Sequence, residues 1–234
     1  MTDKHLSSQF DADLNLLSSK VLEMGGLVES QIVGAMQALN EFDGVVADGV
    51  IAAEDRVNTM EVEIDEECGN IIARRQPAAR DLRLVLAISK TITNLERAGD
   101  EAEKIAKRTK RLMEDEASRG VNIAEIKVSG EMAVTILRRA LDAFARLDTV
   151  AAAQIVRDDK AIDEEFRAFV RKLVTYMMEN PRTISAGLDY LFIAKAIERI
   201  GDHAKNIAEY IIYIVKGTDV RHKSRDALER EALG

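Results

Sequence analysis

The sequence predicts an all-α fold built as two tandem homologous three-helix bundles, six long antiparallel helices in all. Three observations predict it. The 234-residue chain is poor in helix breakers and aromatics, with two prolines, no tryptophan and 4% aromatic residues. Apolar residues recur at spacings of three and four over long stretches. One unusual hexapeptide, Leu95-Glu96-Arg97-Ala98-Gly99-Asp100, returns about one hundred residues later as Ile197-Glu198-Arg199-Ile200-Gly201-Asp202. Both copies continue with Ala, then Ile-Ala, at matching offsets: Ala102, Ile105 and Ala106, then Ala204, Ile207 and Ala208.

In chain order, Ser7-Ser8-Gln9-Phe10 opens a helical pattern through Leu14, Leu17, Val21, Met24, Val28, Ile32, Met36 and Leu39, with Gly25-Gly26 as its weak point and a kink expected there. Asp43-Gly44 marks a turn. A second helix carries Val50, Val57, Met60, Ile64, Cys68, Ile71 and Ile72 and stops at Arg75-Gln76-Pro77, because proline interrupts the hydrogen-bond ladder and disfavours helix in the residue before it. A third starts near Asp81, with Leu82, Val85, Ile88, Ile92, Leu95 and Ile105 inward, and ends in the polar stretch 114–120, the expected boundary between halves. The fourth runs from about Ile123 to Leu147. The fifth follows at once, through Ile155, Ile162, Phe166, Phe169 and Leu173, and stops at Glu179-Asn180-Pro181. The sixth begins near Ser185 and ends at Lys216-Gly217. The two prolines thus fall at the same place in each half, and long amphipathic helices joined by short turns pack antiparallel. The expected bounds are 7–115 for the first bundle, 121–217 for the second and 218–234 for a polar tail that frays or adds a short helix.

A net charge of −8 gives an acidic surface that disfavours nucleic acid and anionic membranes, both of which attract basic patches. A single Cys68 leaves no internal disulfide and reads as a small buried residue of a reducing compartment. The N-terminus lacks an apolar leader, and the longest apolar run, Ile211–Val215, is far short of the ~20 residues of a membrane span, so a cytoplasmic protein is expected.

Residues four apart on a helix share a face, so Glu96 with Asp100, and Glu198 with Asp202, each present two carboxylates to one patch. Like charges at that spacing cost a few tenths of a kcal/mol, and a helical glycine costs roughly 1 kcal/mol relative to alanine. Incurring both costs twice points to compensation by packing, a cation or a partner. Hairpin register adds a second pair to each patch. Glu96 and Asp100 lie 19 and 23 residues after Pro77, and the same distances before it fall on Asn58 and Glu54. Glu198 and Asp202 lie 17 and 21 after Pro181, while Asp163 and Asp159 lie 18 and 22 before it. Clustered carboxylates repel unless a cation joins them, and Mg²⁺, Ca²⁺, Mn²⁺ and iron take oxygen ligands. One cation or small cluster per bundle is therefore expected, with Glu54, Asn58, Glu96 and Asp100 in the first and Asp159, Asp163, Glu198 and Asp202 in the second. Asn58 makes the second set the stronger candidate. The plain alternative is a solvated acidic face, with Asp100 paired to Lys104 and Glu198 to Lys195.

No enzyme is expected. A di-iron carboxylate centre wants Glu-x-x-His on two helices, whereas Gly99 and Gly201 follow Glu96 and Glu198 at that spacing. His5 and His222 lie near the ends, and His203, turned about 100° from Asp202, reads as a surface or partner-contact residue. No phosphate-cradling loop or nucleophile–histidine–acid set appears.

With these motifs the chain resembles the PhoU family of phosphate-transport accessory and regulatory proteins. The resemblance rests on Arg75-Gln76-Pro77 with Asp81-Leu82-Arg83, the two Glu-Arg-x-Gly-Asp motifs, and the run from Tyr176 to Thr183, and it spans about Phe10 to Gly217. It implies two tandem three-helix bundles and metal binding by the paired acidic motifs in some members, with Mg, Mn, Fe or Zn as the ion. It further implies a homodimeric negative regulator of the phosphate-starvation response that restrains phosphate uptake. Such a protein is an adaptor between the ATPase subunit of a phosphate ABC transporter and the sensor histidine kinase of a two-component system, peripheral to the inner face of the membrane through those partners. The competing readings are a metal-binding or metal-storing bundle without a phosphate-signalling role, and a purely structural bundle.

Overall fold

A computed structural model of the chain describes residues 8–221 and 223–233. Its helices are α1 (Ser8–Glu41), α2 (Gly44–Arg75), α3 (Ala79–Glu114), α4 (Ala124–Arg146), α5 (Thr149–Glu179), α6 (Ile184–Lys216) and α7 (Arg225–Leu233). Helices α1–α3 form one three-helix bundle and α4–α6 the other.

The two halves share their turn chemistry. Each first hairpin turns on a bulky residue in the left-handed region, Phe42 at φ 53° and Leu147 at φ 51°. An aspartate follows each and caps the next helix. Asp43 Oδ1 accepts from the Val45 and Val46 amides at 2.8 and 3.1 Å, and Asp148 Oδ1 accepts from the Ala151 amide at 2.9 Å. Pro77 lies in the non-helical link between α2 and α3, and Pro181 opens a single 3-10 turn before α6. Gly217 ends α6 in the left-handed region at φ 78°.

Helix α1 runs through Gly25-Gly26 as one continuous helix. Gly25 serves packing. A β-carbon at Gly25 would lie 2.4 Å from Leu141 Cδ2, so its absence lets α4 of the other bundle come close. The tail residues 225–233 form α7, which packs on α5 through Arg157 and Glu229 at 3.2 Å and through Thr149 Oγ1, which donates to the Ala232 carbonyl at 2.9 Å. Leu228 and Ala232 are buried there.

The bundles join chiefly along α3 and α6, the most extensive helix pair of the fold. The pairing is antiparallel. Arg83 Nε donates to the Ile214 carbonyl at 3.4 Å, Arg199 Nη1 to Glu101 Oε1 at 3.1 Å, and Arg108 Nη1 to Asp189 Oδ1 at 2.7 Å. The repeated hexapeptides therefore cross near the middle of this seam. Leu95, Ala98, Ile197 and Ile200 from the hexapeptides are buried, and the apolar residues of both bundles merge into one continuous core. Among the described residues no helix is long and apolar enough to cross a membrane.

Replacing the fully buried Leu95 by Ala removes core atoms at the seam and is expected to cost about 2–5 kcal/mol. Urea unfolding at 25 °C checks this; a loss well under about 1 kcal/mol would mean that the seam is loosely packed.

Candidate metal centre

Glycines 99 and 201 place the two carboxylate clusters. A β-carbon built on Gly99 would lie 2.9 Å from Gln31 Oε1 and 3.0 Å from Glu54 Oε2. One built on Gly201 would lie 3.0 Å from Asp159 Oδ1 and 2.8 Å from Ile162 Cδ1. Each helical glycine is a notch into which the neighbouring helix inserts a buried acid, Glu54 from α2 or Asp159 from α5. The penalty of the glycine is offset by this close approach.

In the first bundle Glu54 and Gln31 are 7% and 3% exposed. Gln31 Nε2 donates to Glu54 Oε2 at 2.8 Å. The remaining oxygens, Gln31 Oε1 and Glu54 Oε1, are buried without a donor. Burial pushes the Glu54 carboxyl above its ordinary value, the Gln31 amide works against that shift, and Asp100, Glu96 and Glu103 reinforce it. Glu96 is raised by burial, then by Glu61 and Asp100. Asp100 is paired with Lys104 at 2.7 Å. Asn58, which the register placed opposite Glu96, is exposed. The acid nearest Glu96 in its electrostatics is Glu61, seven residues beyond Glu54 on the same face of α2, and it accepts from Thr93 Oγ1 at 2.9 Å.

In the second bundle Asp159 is 3% exposed. Lys205 Nζ donates to Asp159 Oδ2 at 2.8 Å and to Asp202 Oδ1 at 2.7 Å. Burial works against its charge, yet the two carboxylates hold the Lys205 ammonium above its ordinary value. Glu198 is paired with Lys195 at 2.5 Å, and Asp163 lies 3.9 Å from Arg167. Register reasoning thus brings Asp159 and Asp202 together correctly, while Glu198 and Asp163 each turn to a cation on their own helix.

Among the described residues no three acidic, histidine or cysteine side chains are gathered as metal ligands. The donor chemistry of the first bundle nevertheless fits a hard cation. Two buried oxygens lack donors, a cradle at Gly99 holds one oxygen each of Gln31 and Glu54, and Glu61, Glu96 and Asp100 stand nearby. Gln31, Glu61 and Lys205 were missed by sequence reasoning. Glu61 was signalled by its seven-residue spacing from Glu54 and Lys205 by its three-residue spacing from Asp202. Gln31 was signalled by its place between Val28 and Ile32 on the buried side of α1.

Between the bundles, a polar groove of about 590 Å³ crosses α3 and α6. It is lined by Arg97, Asp100, Glu101 and Lys104 and by the repeat-equivalent positions Arg199, Asp202, His203 and Asn206. His203, expected as a surface or partner-contact residue, is half-buried at this seam. Asn94 Nδ2 donates to the Lys90 carbonyl, which leaves Asn94 Oδ1 to accept from Asn206 Nδ2 and from the His203 ring nitrogen Nδ1, both at 3.0 Å. Neutral His203 therefore carries its proton on Nδ1. Burial holds its pKa below the ordinary 6.5; Glu101 and Asp202 pull it up, and Arg97 and Arg199 push it down. His5 and His222 lie outside the described residues. Cys68 is buried and unpaired, and burial pushes its thiol up to about 12.

Fold and site together define an all-α tandem-repeat protein whose repeats each bury a carboxylate against a helix glycine. The PhoU domain family matches residues 21–109 and 126–211, one match per repeat, and the chain belongs to this family. A phosphate-specific transport system accessory protein PhoU homolog from Burkholderia sp is 60% identical over 234 residues, covering 100% of both chains. The phosphate-specific transport system accessory protein PhoU of Escherichia coli K12 is 46% identical over 232 residues, 99% of this chain and 95% of that one. The crystal structure of PhoU from Pseudomonas aeruginosa superposes with a TM-score of 0.87 at 47% identity, covering 89% of this chain and 100% of that one. The phosphate transport system regulatory protein PhoU of Streptococcus pneumoniae superposes with a TM-score of 0.84 at 28% identity, covering 90% and 99%.

Because the folded pKa of His203 is lowered, folding stability is expected to fall as the pH drops below about 6.5, where the unfolded histidine protonates and the folded one resists. His203→Gln keeps a donor for Asn94 and should remove that part of the pH dependence. Urea midpoints at pH 7.5 and 5.5 measure it; an unchanged pH dependence in the variant would rule out His203 as its source.

Proposed function

We propose that this protein is an accessory and regulatory component of phosphate transport. It acts as a non-enzymatic adaptor that represses the phosphate-starvation response and restrains phosphate uptake when phosphate is plentiful. The observation that carries this reading is end-to-end similarity to phosphate-specific transport system accessory proteins, both repeats included. In this role it works as a homodimer and bridges the ATPase subunit of a phosphate ABC transporter and the cytoplasmic part of a sensor histidine kinase, which hold it at the inner face of the membrane.

The physical features suit an adaptor. Two bundles with one continuous core form a stiff body. The groove at the seam is lined equally by both repeats, so a partner seated there contacts both at once. A divalent ion held by the first-repeat carboxylates Glu54, Glu96 and Asp100 would neutralise a self-repelling patch and fix α2 against α3. Its part is structural and regulatory, with no reaction step assigned to it.

Deleting the coding sequence from its source cell should switch on phosphate-regulated genes in phosphate-rich medium, and supplying the intact gene should silence them again. Reporter expression in both strains is the measurement; genes that stay silent after deletion would refute the adaptor reading.

A further inference from the structure

The two carboxylate clusters are equivalent in sequence but not in charge. Glu54 and Asp159 hold the same place, each with an oxygen 3.0 Å from the point where a glycine β-carbon is missing. Three residues after Asp202 the second repeat has Lys205; three residues after Asp100 the first repeat has Glu103. One repeat therefore places a cation where the other places an acid.

The consequences are visible in the contacts. The Lys205 ammonium spans α5 and α6 by bonding Asp159 and Asp202 together, and its side chain is 27% exposed against 5% for Asp159. Glu103 turns away to Lys107 at 2.6 Å and adds negative charge around Glu54. No described cation pairs with Glu54 or Glu96. Of the described buried side-chain oxygens without a hydrogen-bond partner, Gln31 Oε1 and Glu54 Oε1 belong to the first-repeat cluster, Thr91 Oγ1 and Glu125 Oε2 belong to neither cluster, and the Asp159 carboxylate already has the Lys205 ammonium on its Oδ2.

We propose that Lys205 is a tethered cation that fills the second-repeat cluster, so that the protein takes a divalent metal ion in the first repeat alone, where Gln31 of α1 adds an amide oxygen to Glu54. The inference rests on reading the carboxylate clusters as cation sites and states which of the two is open. An ammonium bonded to two carboxylates already does what an ion would do there. A divalent ion entering beside it meets a fixed like charge and finds two of its oxygens engaged. In the first repeat the same ion meets unsatisfied oxygens and an excess of carboxylates, which is the oxygen-rich setting that hard ions require.

The test is calorimetric titration of the chelated, full-length protein with Mn²⁺, with circular dichroism to confirm folding. The wild type should bind in the first repeat only, and Glu54→Gln should weaken that binding at least tenfold. Gln31→Glu supplies a charged oxygen at the same place and should tighten it. Lys205→Gln should open a second class of site, which Asp159→Asn in the same chain abolishes, while Lys205→Arg should open none. Binding in the wild type that survives Glu54→Gln but is lost on Asp159→Asn would overturn the proposal, as would a Lys205→Gln protein that gains no site. A protein in which neither the wild type nor any variant binds Mn²⁺ would overturn the cation-site reading itself, a result distinct from binding in the wrong repeat.

Discussion

The contact between a buried carboxylate and a helix glycine, made once in each repeat, is the constraint around which the polar interior is arranged. A carboxylate is costly to bury without partners. Here the burial follows from geometry, because the oxygen enters the space a β-carbon would occupy at Gly99 or Gly201. That approach holds α2 close against α3 and α5 close against α6. It also obliges each repeat to satisfy a charge, and the two repeats do so differently. Asp159 has the Lys205 ammonium, while Glu54 has only the Gln31 amide and a carboxyl pushed toward its protonated form by burial.

The same hexapeptide that carries the glycine also builds the seam. Its apolar positions Leu95 and Ala98, with Ile197 and Ile200, fill the crossing of α3 and α6, and its arginines open onto the groove above. Asn94 is the hub on which the bundles are pinned, since its side-chain oxygen accepts from two residues of α6 while its nitrogen is held by its own helix. The cation clusters and the seam therefore share elements. A change of charge at Asp100 or Asp202 falls on residues that line the groove and also belong to a carboxylate cluster. An ion bound at either cluster would therefore act directly on the surface where both repeats are presented.

Much of this was legible in the sequence. The apolar spacing and the paired prolines specify six helices and their order, because a three-to-four residue period and a broken hydrogen-bond ladder are local properties. The aspartate caps at Asp43 and Asp148 and the stop at Gly217 are likewise local signals. Register counted from a proline set Glu54 level with Asp100, one residue from the Gly99 it meets, and Asp159 with Asp202, but it placed Asn58 where Glu61 is the electrostatic neighbour of Glu96. Counting assumes straight, evenly matched helices, and a turn of slippage is enough to exchange residues one turn apart. Gln31 and Lys205 were harder to read for another reason. The place of Gln31 between Val28 and Ile32 puts it on the buried side of α1 without showing which group it meets, and a lysine beside acids reads as a solvated pair until its ammonium is seen bridging two helices. Counting carboxylates favours the second repeat as a cation site, whereas counting buried oxygens without a donor in each cluster favours the first.

Anomalous diffraction from crystals of the protein equilibrated with Mn²⁺ would locate the ion. A peak is expected next to Gly99, within coordination distance of Gln31 and Glu54, and none in the Asp159–Lys205–Asp202 cluster. A peak that displaces the Lys205 ammonium in the second repeat, with none in the first, would contradict this expectation.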